Sequence, residues 1–476
     1  MRRVVKPGSV AGWLSAPPSK SAAQRAVACA ALADGISELS LGECGADALA
    51  ALRIAAALGA ELREVDGRIL IRGNGGDWGK ALAAAGLAAS ADLADTAGRQ
   101  GLPGEPGEPI IRASAGESGL SMRMFAAIAA LAPYPIGLEA EGSLRRRPMD
   151  MAEGALRAAG LSCRSAGGFP PLTVRGPLRG GRYRLDGRES SQFVTGLLIA
   201  LAAAEGDSQI EIEELASAGY VDITLDVMAQ FGAEARRLGG PAASEAGGGR
   251  ALFAVKGRSG YRAARYEVEG DWSGAAFLLV AGALAGGVAR GGDAAGAAGI
   301  EPEGIEVAGL NPASAQPDRA IVAALRAAGA DLTIAGGRVS VRRSRLRGFG
   351  FDARGCPDLF PPLVALASAC AGESRIRGVS RLRAKESDRA AALSEEFGAL
   401  GLDLAVEGDE IAVRPAASGA IRGGVANARG DHRIAMAAAV AALAAAGPVA
   451  VDGAECVAKS YPGFWRDLAA LGADIE

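Results

Sequence analysis

Histidine is nearly absent from this chain: one, His432, stands among 476 residues. A zinc site built from several imidazoles is therefore excluded, and a Ser-His-Asp triad would have only that one base to use. Cysteine is sparse as well. The six (Cys29, Cys44, Cys163, Cys356, Cys370 and Cys456) are scattered and no two form a CxxC pair, so zinc ribbons and thioredoxin-type redox motifs find no support. Scattered thiols suit a reducing compartment. Neither sign of charge is in excess: 51 Lys and Arg against 54 Asp and Glu leave a formal charge of −3, with no broad basic field for nucleic acid and no acidic tail. The first residues, MRRVVKPGSVAGWL, lack the apolar stretch of a signal peptide, and a cytoplasmic protein is expected. No long apolar run is present either. The uncharged stretch 434–451 is mostly alanine and is broken by Gly447 and Pro448, which reads as a buried helix and not a membrane span of about 20 strongly apolar residues.

What is abundant is alanine and glycine. Apolar residues at 49% and charged residues at 22% belong to a globular chain with large cores, and 69 Gly with 22 Pro fall short of the roughly 25–30% of low-complexity chains. At about 150 residues per domain the length allows two to four domains. An Ala/Leu-rich helix, a glycine and a short strand recur six times. The glycines Gly59, Gly160, Gly232, Gly329, Gly401 and Gly472 lie 101, 72, 97, 72 and 71 residues apart. A glycine just past the last helical residue is a C-cap with positive φ. Strand-like runs follow five of them at 69–73, 172–176, 252–257, 339–343 and 411–415. The unit is thus about 72 residues, two copies carrying insertions placed at 75–107 and 291–304. Six such units suggest two domains of three rather than a solenoid.

Chemistry-bearing residues gather where helices start. Pro17-Pro18-Ser19-Lys20-Ser21 leads into an Ala-rich helix, with Arg25 a turn further on; this suits phosphate or carboxylate, or is an ordinary cap with solvated cations. Gly116-Glu117-Ser118-Gly119 is a Gly/Ser loop before a second helix. Arg145-Arg146-Arg147 precede Pro148, a possible carboxylate or phosphate fork or a solvated basic turn. Ser190-Ser191-Gln192, and Ser217 with Tyr220, open two more helices as caps or as ligands for hydroxyls and phosphate. Asp358 stands before an apolar run, as a cap or a proton acceptor. Arg383 to Arg389 (RAKESDR) is dense in charge, which usually marks a solvated helix face. Asp431-His432-Arg433 precede the most apolar helix, and Lys459 precedes another. Together Lys20, Arg25, Arg123, Arg147, Lys385, Arg389, Arg433 and Lys459 exceed the needs of a neutral ligand. They indicate a polyanionic substrate with phosphate and carboxylate, and Asp358 and Glu386 among them could transfer protons.

In order along the chain, PPSKSAAQR, GESGLSMR, RRRPM, SSQF, SAGYVDITL, VEGDWSGAAFLL, PDLFPP, RAKESDR, GDHRIAM and AKSYP resemble the motifs of the enolpyruvyl transferases, in the branch that uses shikimate-3-phosphate. The resemblance implies an α/β fold, a two-domain inside-out α/β barrel of three βα units per domain. One domain would run from 21 to 267 and the other would join 1–20 to 268–476, with the active site in the cleft. It implies transfer of the enolpyruvyl group of phosphoenolpyruvate to the 5-hydroxyl of shikimate-3-phosphate with release of phosphate, by a monomer needing no metal or organic cofactor. Lys20, Ser21, Arg25, Ser190, Ser191, Gln192, Ser217, Tyr220, Asp358 and Lys385 would bind shikimate-3-phosphate. Lys20, Gly119, Arg147, Gln192, Arg389, Arg433 and Lys459 would bind phosphoenolpyruvate. Asp358 would receive the 5-hydroxyl proton, Glu386 would handle the proton at the methylene carbon with Lys20 assisting, and His432 would neighbour the phosphate site. Three positions depart from the family pattern: Glu117 replaces a neutral Asn beside an anion site, Leu120 replaces Thr, and Arg381 replaces Asn. The branch that uses UDP-N-acetylglucosamine is less similar, having Lys-Asn at Lys20-Ser21 and a reactive Cys where 141–149 has none. A non-catalytic anion-binding relative would not need Lys20, Asp358, Glu386 and Lys459 together.

Overall fold

A computed structural model describes residues 1–84, 86, 110–188, 191–240, 249–287, 303–383, 385–416 and 418–476. Most of the two insertions read from the sequence lies outside these residues. The chain forms two compact units, a central one of Lys20–Val268 and a second one joining Met1–Ser19 to Glu269–Glu476.

Each unit contains three sheets among the described residues. The recurring sheet pairs two strands in parallel and adds an antiparallel hairpin. In the central unit, Arg182–Asp186 runs parallel to Ser208–Glu213, which pairs antiparallel with Ala251–Val255, itself paired with Ala235–Gly239. The same order builds the sheet of Ile111–Ser114, Ile136–Glu139, Phe169–Arg175 and Ser162–Ala166. In the second unit, Gly12–Ser15 is parallel to Ile305–Ala308, and a hairpin of Asp331–Ala335 and Arg338–Arg342 completes that sheet.

All six glycines at the repeat have positive φ, between 77° and 98°. That left-handed residue ends the helix and turns the chain into the hairpin. The strands read from the sequence are the inner arms of these hairpins, such as Arg68–Arg72 and Glu410–Arg414. The outer arms, such as Glu61–Val65, are largely exposed and charged.

Helices fill the inside of each unit. In the second unit every residue of Trp272–Ala285, Phe360–Ala367 and His432–Ala442 is buried. Helices apolar on every side have no face for water and pack only in a core. Their counterparts in the central unit are Lys20–Leu32, Gly119–Ala129 and Ser191–Ala203. The polar residues of the sequence motifs stand at the starts of these buried helices, where the first N–H groups lack helical partners.

Candidate active site

The central unit supplies a row of helix starts. Lys20 opens its helix with Nζ 3.0 Å from Asp47 Oδ2, a carboxylate that is 5% exposed. Arg25, one turn on, is almost wholly buried. Nε donates to Thr224 Oγ1 (2.9 Å), Nη1 to the Ser21 carbonyl (2.7 Å), and Nη2 to Thr195 Oγ1 (3.3 Å) and the Tyr220 carbonyl (3.0 Å). Burial pushes its pKa down to about 10. Arg25 therefore holds Ser21 and Tyr220 in place, with four of its five N–H donors spent on protein.

Ser118 caps the helix Gly119–Ala129 by accepting from the Ser121 N–H. Buried Gln24 accepts from both Ser118 Oγ and Ser121 Oγ at 2.8 Å, tying that helix start to the Lys20 helix. The Arg147 guanidinium lies against the Gly119 backbone, its Nη1 2.4 Å from where a Cβ would sit, so a side chain there would push the guanidinium aside. Gln192 accepts from Arg123 Nη1 (2.8 Å), while Arg123 Nη2 donates to the Pro148 carbonyl (2.8 Å). Ser191 opens its helix in a buried position, and Ser190 lies outside the described residues. Ser217 is held at φ 56°, a left-handed conformation costly for a side chain with Cβ, just before Ala218–Gln230.

In the second unit one carboxylate draws three cations. Asp358 Oδ1 accepts from Arg389 Nη1 (2.8 Å) and Lys385 Nζ (3.2 Å), and its Oδ2 lies 3.1 Å from Arg433 Nη2. Arg389 is the hub: its Nε donates to Asp431 Oδ2 (2.7 Å) and its Nη2 to Glu386 Oε2 (2.7 Å). Asp431, fully buried, also caps the His432–Ala442 helix by accepting from the Arg433 N–H (3.0 Å). Lys459 ends the 3-10 helix Ala454–Lys459, largely buried. Burial works against the charge of Asp358, but Arg433, then Lys385 and Arg389, outweigh it and hold the carboxyl well below the usual range. Burial lowers the pKa of Lys385 against the pull of Asp358. For Arg389 burial is outweighed by Asp431, Glu386 and Asp358, and its pKa rises.

The RAKESDR segment is not a solvated helix face. A helix begins only at Arg389; Lys385 and Arg389 meet Asp358, Arg389 also meets Asp431, and Glu386 pairs with Arg389 itself. Asp47, Gln24 and Asp431 carry no role in the sequence reading. Only Asp431 had a local signal, a carboxylate directly before a buried, mostly apolar helix. Glu117 Oε2 accepts from the Ser143 N–H (3.2 Å) and Oγ (2.8 Å). Among the described residues no group of three or more His, Cys, Asp or Glu could hold a metal ion, and no helix is long and apolar enough to cross a membrane.

Three repeats in each unit, with cations gathered at the helix starts, suit the binding of anionic ligands. The structure of EPSP synthase from Acinetobacter baumannii matches with a TM-score of 0.72 at 25% identity, covering 100% of this chain and 99% of that one. The family model for EPSP synthase (3-phosphoshikimate 1-carboxyvinyltransferase) matches residues 81–290 and 293–468, and the chain belongs to that family. It is 37% identical to the 3-phosphoshikimate 1-carboxyvinyltransferase of Aeropyrum pernix, over 100% of this chain and 96% of the relative. It is 33% identical to the enzyme of that name from Clostridium kluyveri, over 99% and 97%.

Proposed function

We propose that this enzyme transfers the enolpyruvyl group of phosphoenolpyruvate to the 5-hydroxyl of shikimate-3-phosphate, with Asp358, Glu386 and Lys20 handling the protons. Family membership carries the reaction. The convergence of Lys385, Arg389 and Arg433 on Asp358 carries the residue roles. Three cations around one carboxylate form a seat for anions, which without substrate is occupied by the protein's own acid. A base held so low is a poor proton acceptor. When the phosphate and carboxylate of phosphoenolpyruvate engage Arg389, Arg433 and Lys459, added negative charge raises the Asp358 pKa towards that of a working base.

Asp358 then takes the 5-hydroxyl proton as that oxygen bonds to C2 of phosphoenolpyruvate. Glu386, with Lys20 assisting, delivers a proton to the methylene carbon. In the second half the C2–O bond to phosphate breaks, the departing phosphate takes up the proton held by Asp358, the methyl group returns a proton to Glu386, and the double bond re-forms. The cationic character at C2 along the way is stabilised by nearby carboxylates. On this reading Ser21, Arg25, Ser190, Ser191, Gln192, Ser217, Tyr220 and Lys385 receive shikimate-3-phosphate, and Lys20, Gly119, Arg147 and Gln192 add to the phosphoenolpyruvate contacts. The reading includes a monomer in the cytoplasm, where the six free thiols stay reduced.

Purified protein mixed with phosphoenolpyruvate and shikimate-3-phosphate should release inorganic phosphate, followed by 31P NMR, with one enolpyruvyl ether formed per phosphate. With UDP-N-acetylglucosamine as the acceptor there should be none. No release with either acceptor, or release only with the UDP-sugar, would overturn the assignment.

A further inference from the structure

We propose that Glu117 is a positioning residue: its carboxylate clasps the 116–119 loop to the 3-10 turn Gly142–Arg146 and thereby fixes the Arg147 guanidinium over Gly119. The proposal rests on the reading above in which Arg147 and Gly119 hold phosphoenolpyruvate. A carboxylate two residues from an anion site repels the ligand if it faces that ligand. Here it is turned onto Ser143, accepting from both its N–H (3.2 Å) and its hydroxyl (2.8 Å). The turn is shaped for this contact. Gly142 has φ +48°, and a Cβ there would come within 2.4 Å of the Glu117 carboxylate, so the carboxylate lies directly on the turn's backbone.

Further stitches join the same two segments. The Glu141 N–H donates to the Gly116 carbonyl (2.7 Å), and Ser114 Oγ donates to Glu141 Oε1 (2.7 Å) while accepting from the Gly116 N–H (3.1 Å). At the inner end of the seam the guanidinium of Arg147, which is 8% exposed, presses on the Gly119 backbone. Ser143 lies four residues before Arg147, and Glu117 lies two before Gly119. Releasing the outer clasp therefore loosens the spacing of the inner pair. An Asn in place of Glu117 is one methylene shorter and uncharged, and cannot make the same charge-assisted pair of bonds. The departure from the family pattern becomes a device that uses the acid away from the ligand.

Steady-state kinetics of four variants separate the possibilities. Glu117→Ala and Ser143→Ala should each raise KM for phosphoenolpyruvate about tenfold, with kcat and KM for shikimate-3-phosphate unchanged. Glu117→Gln keeps an acceptor oxygen for Ser143 and should stay near the parent enzyme. A fall in KM on Glu117→Ala would show a merely repulsive charge, and a parallel loss in kcat and both KM values would show a general folding role; either result overturns the proposal. Arg147→Ala reports on the underlying site. If it raises KM for phosphoenolpyruvate while Glu117→Ala and Ser143→Ala do not, the clasp alone fails. If Arg147→Ala leaves that KM unchanged, the site reading fails and the clasp with it.

Discussion

Asp358→Ala should lower kcat by about 10³-fold while KM for phosphoenolpyruvate stays level or falls. The loss in kcat follows from the role: a positioned base contributes roughly 10²- to 10⁴-fold. The behaviour of KM follows from the geometry. Removing the carboxylate takes away the counter-ion that Lys385, Arg389 and Arg433 share, while Arg389 keeps Glu386 and Asp431, so an incoming anion no longer displaces Asp358. Cations left facing one another also destabilise the unit, by about 2–4 °C per kcal/mol for a body of this size. Inorganic phosphate should restore part of the lost Tm, since it fills the same seat. Asp358→Asn, closer in shape, should show the same kcat defect with a smaller change in Tm. A near-normal kcat in either folded variant would remove Asp358 from the proton path.

Lys20→Met should reduce kcat/KM by about 10³-fold through loss of a cation beside the reacting group. The structure adds a second consequence. Asp47, 5% exposed, loses the ammonium 3.0 Å away and becomes a buried carboxylate without that counter-ion. Breaking such a pair by deleting one member costs about 3 kcal/mol. The double variant Lys20→Met, Asp47→Asn removes the stranded charge, and it should regain thermal stability without regaining turnover. If both return together, Lys20 acts only through the fold; if Asp47→Asn alone abolishes activity with Lys20 intact, Asp47 has a role beyond holding the lysine.

The scaffold was legible where local rules act alone. An Ala/Leu run followed by glycine marks a helix and its left-handed end, and Gly59, Gly160, Gly232, Gly329, Gly401 and Gly472 all take that conformation. The outer hairpin arms were not legible, because a strand such as Glu61–Val65 has so little buried surface that no apolar alternation appears. The sheets likewise join strands far apart in sequence, as Gly12–Ser15 with Ile305–Ala308. Motif order indicated the anion-binding residues, but local spacing misjudged their surroundings. Arg389 looked like one charge on a solvated face, since its partners Asp358 and Asp431 lie 31 and 42 residues away. Lys20 meets Asp47 from an Ala-rich stretch that carries no motif. Glu117 looked electrostatically awkward because its acceptor role depends on Ser143, 26 residues downstream.

Central to the proposed reaction is the change of Asp358 from an ion-paired acid into a base as anions arrive. Titration of its carboxyl carbon by 13C NMR, assigned with Asp358→Asn, tests this directly. The free enzyme is compared with enzyme saturated in shikimate-3-phosphate and inorganic phosphate, a pair that cannot react. In the free enzyme the carboxyl should titrate below the ordinary aspartate value near 3.9, and bound anions should move its midpoint upward as they draw Arg389, Arg433 and Lys385 away. A midpoint at or above the ordinary value in the free enzyme, or one unmoved or lowered by the two ligands, would contradict the account.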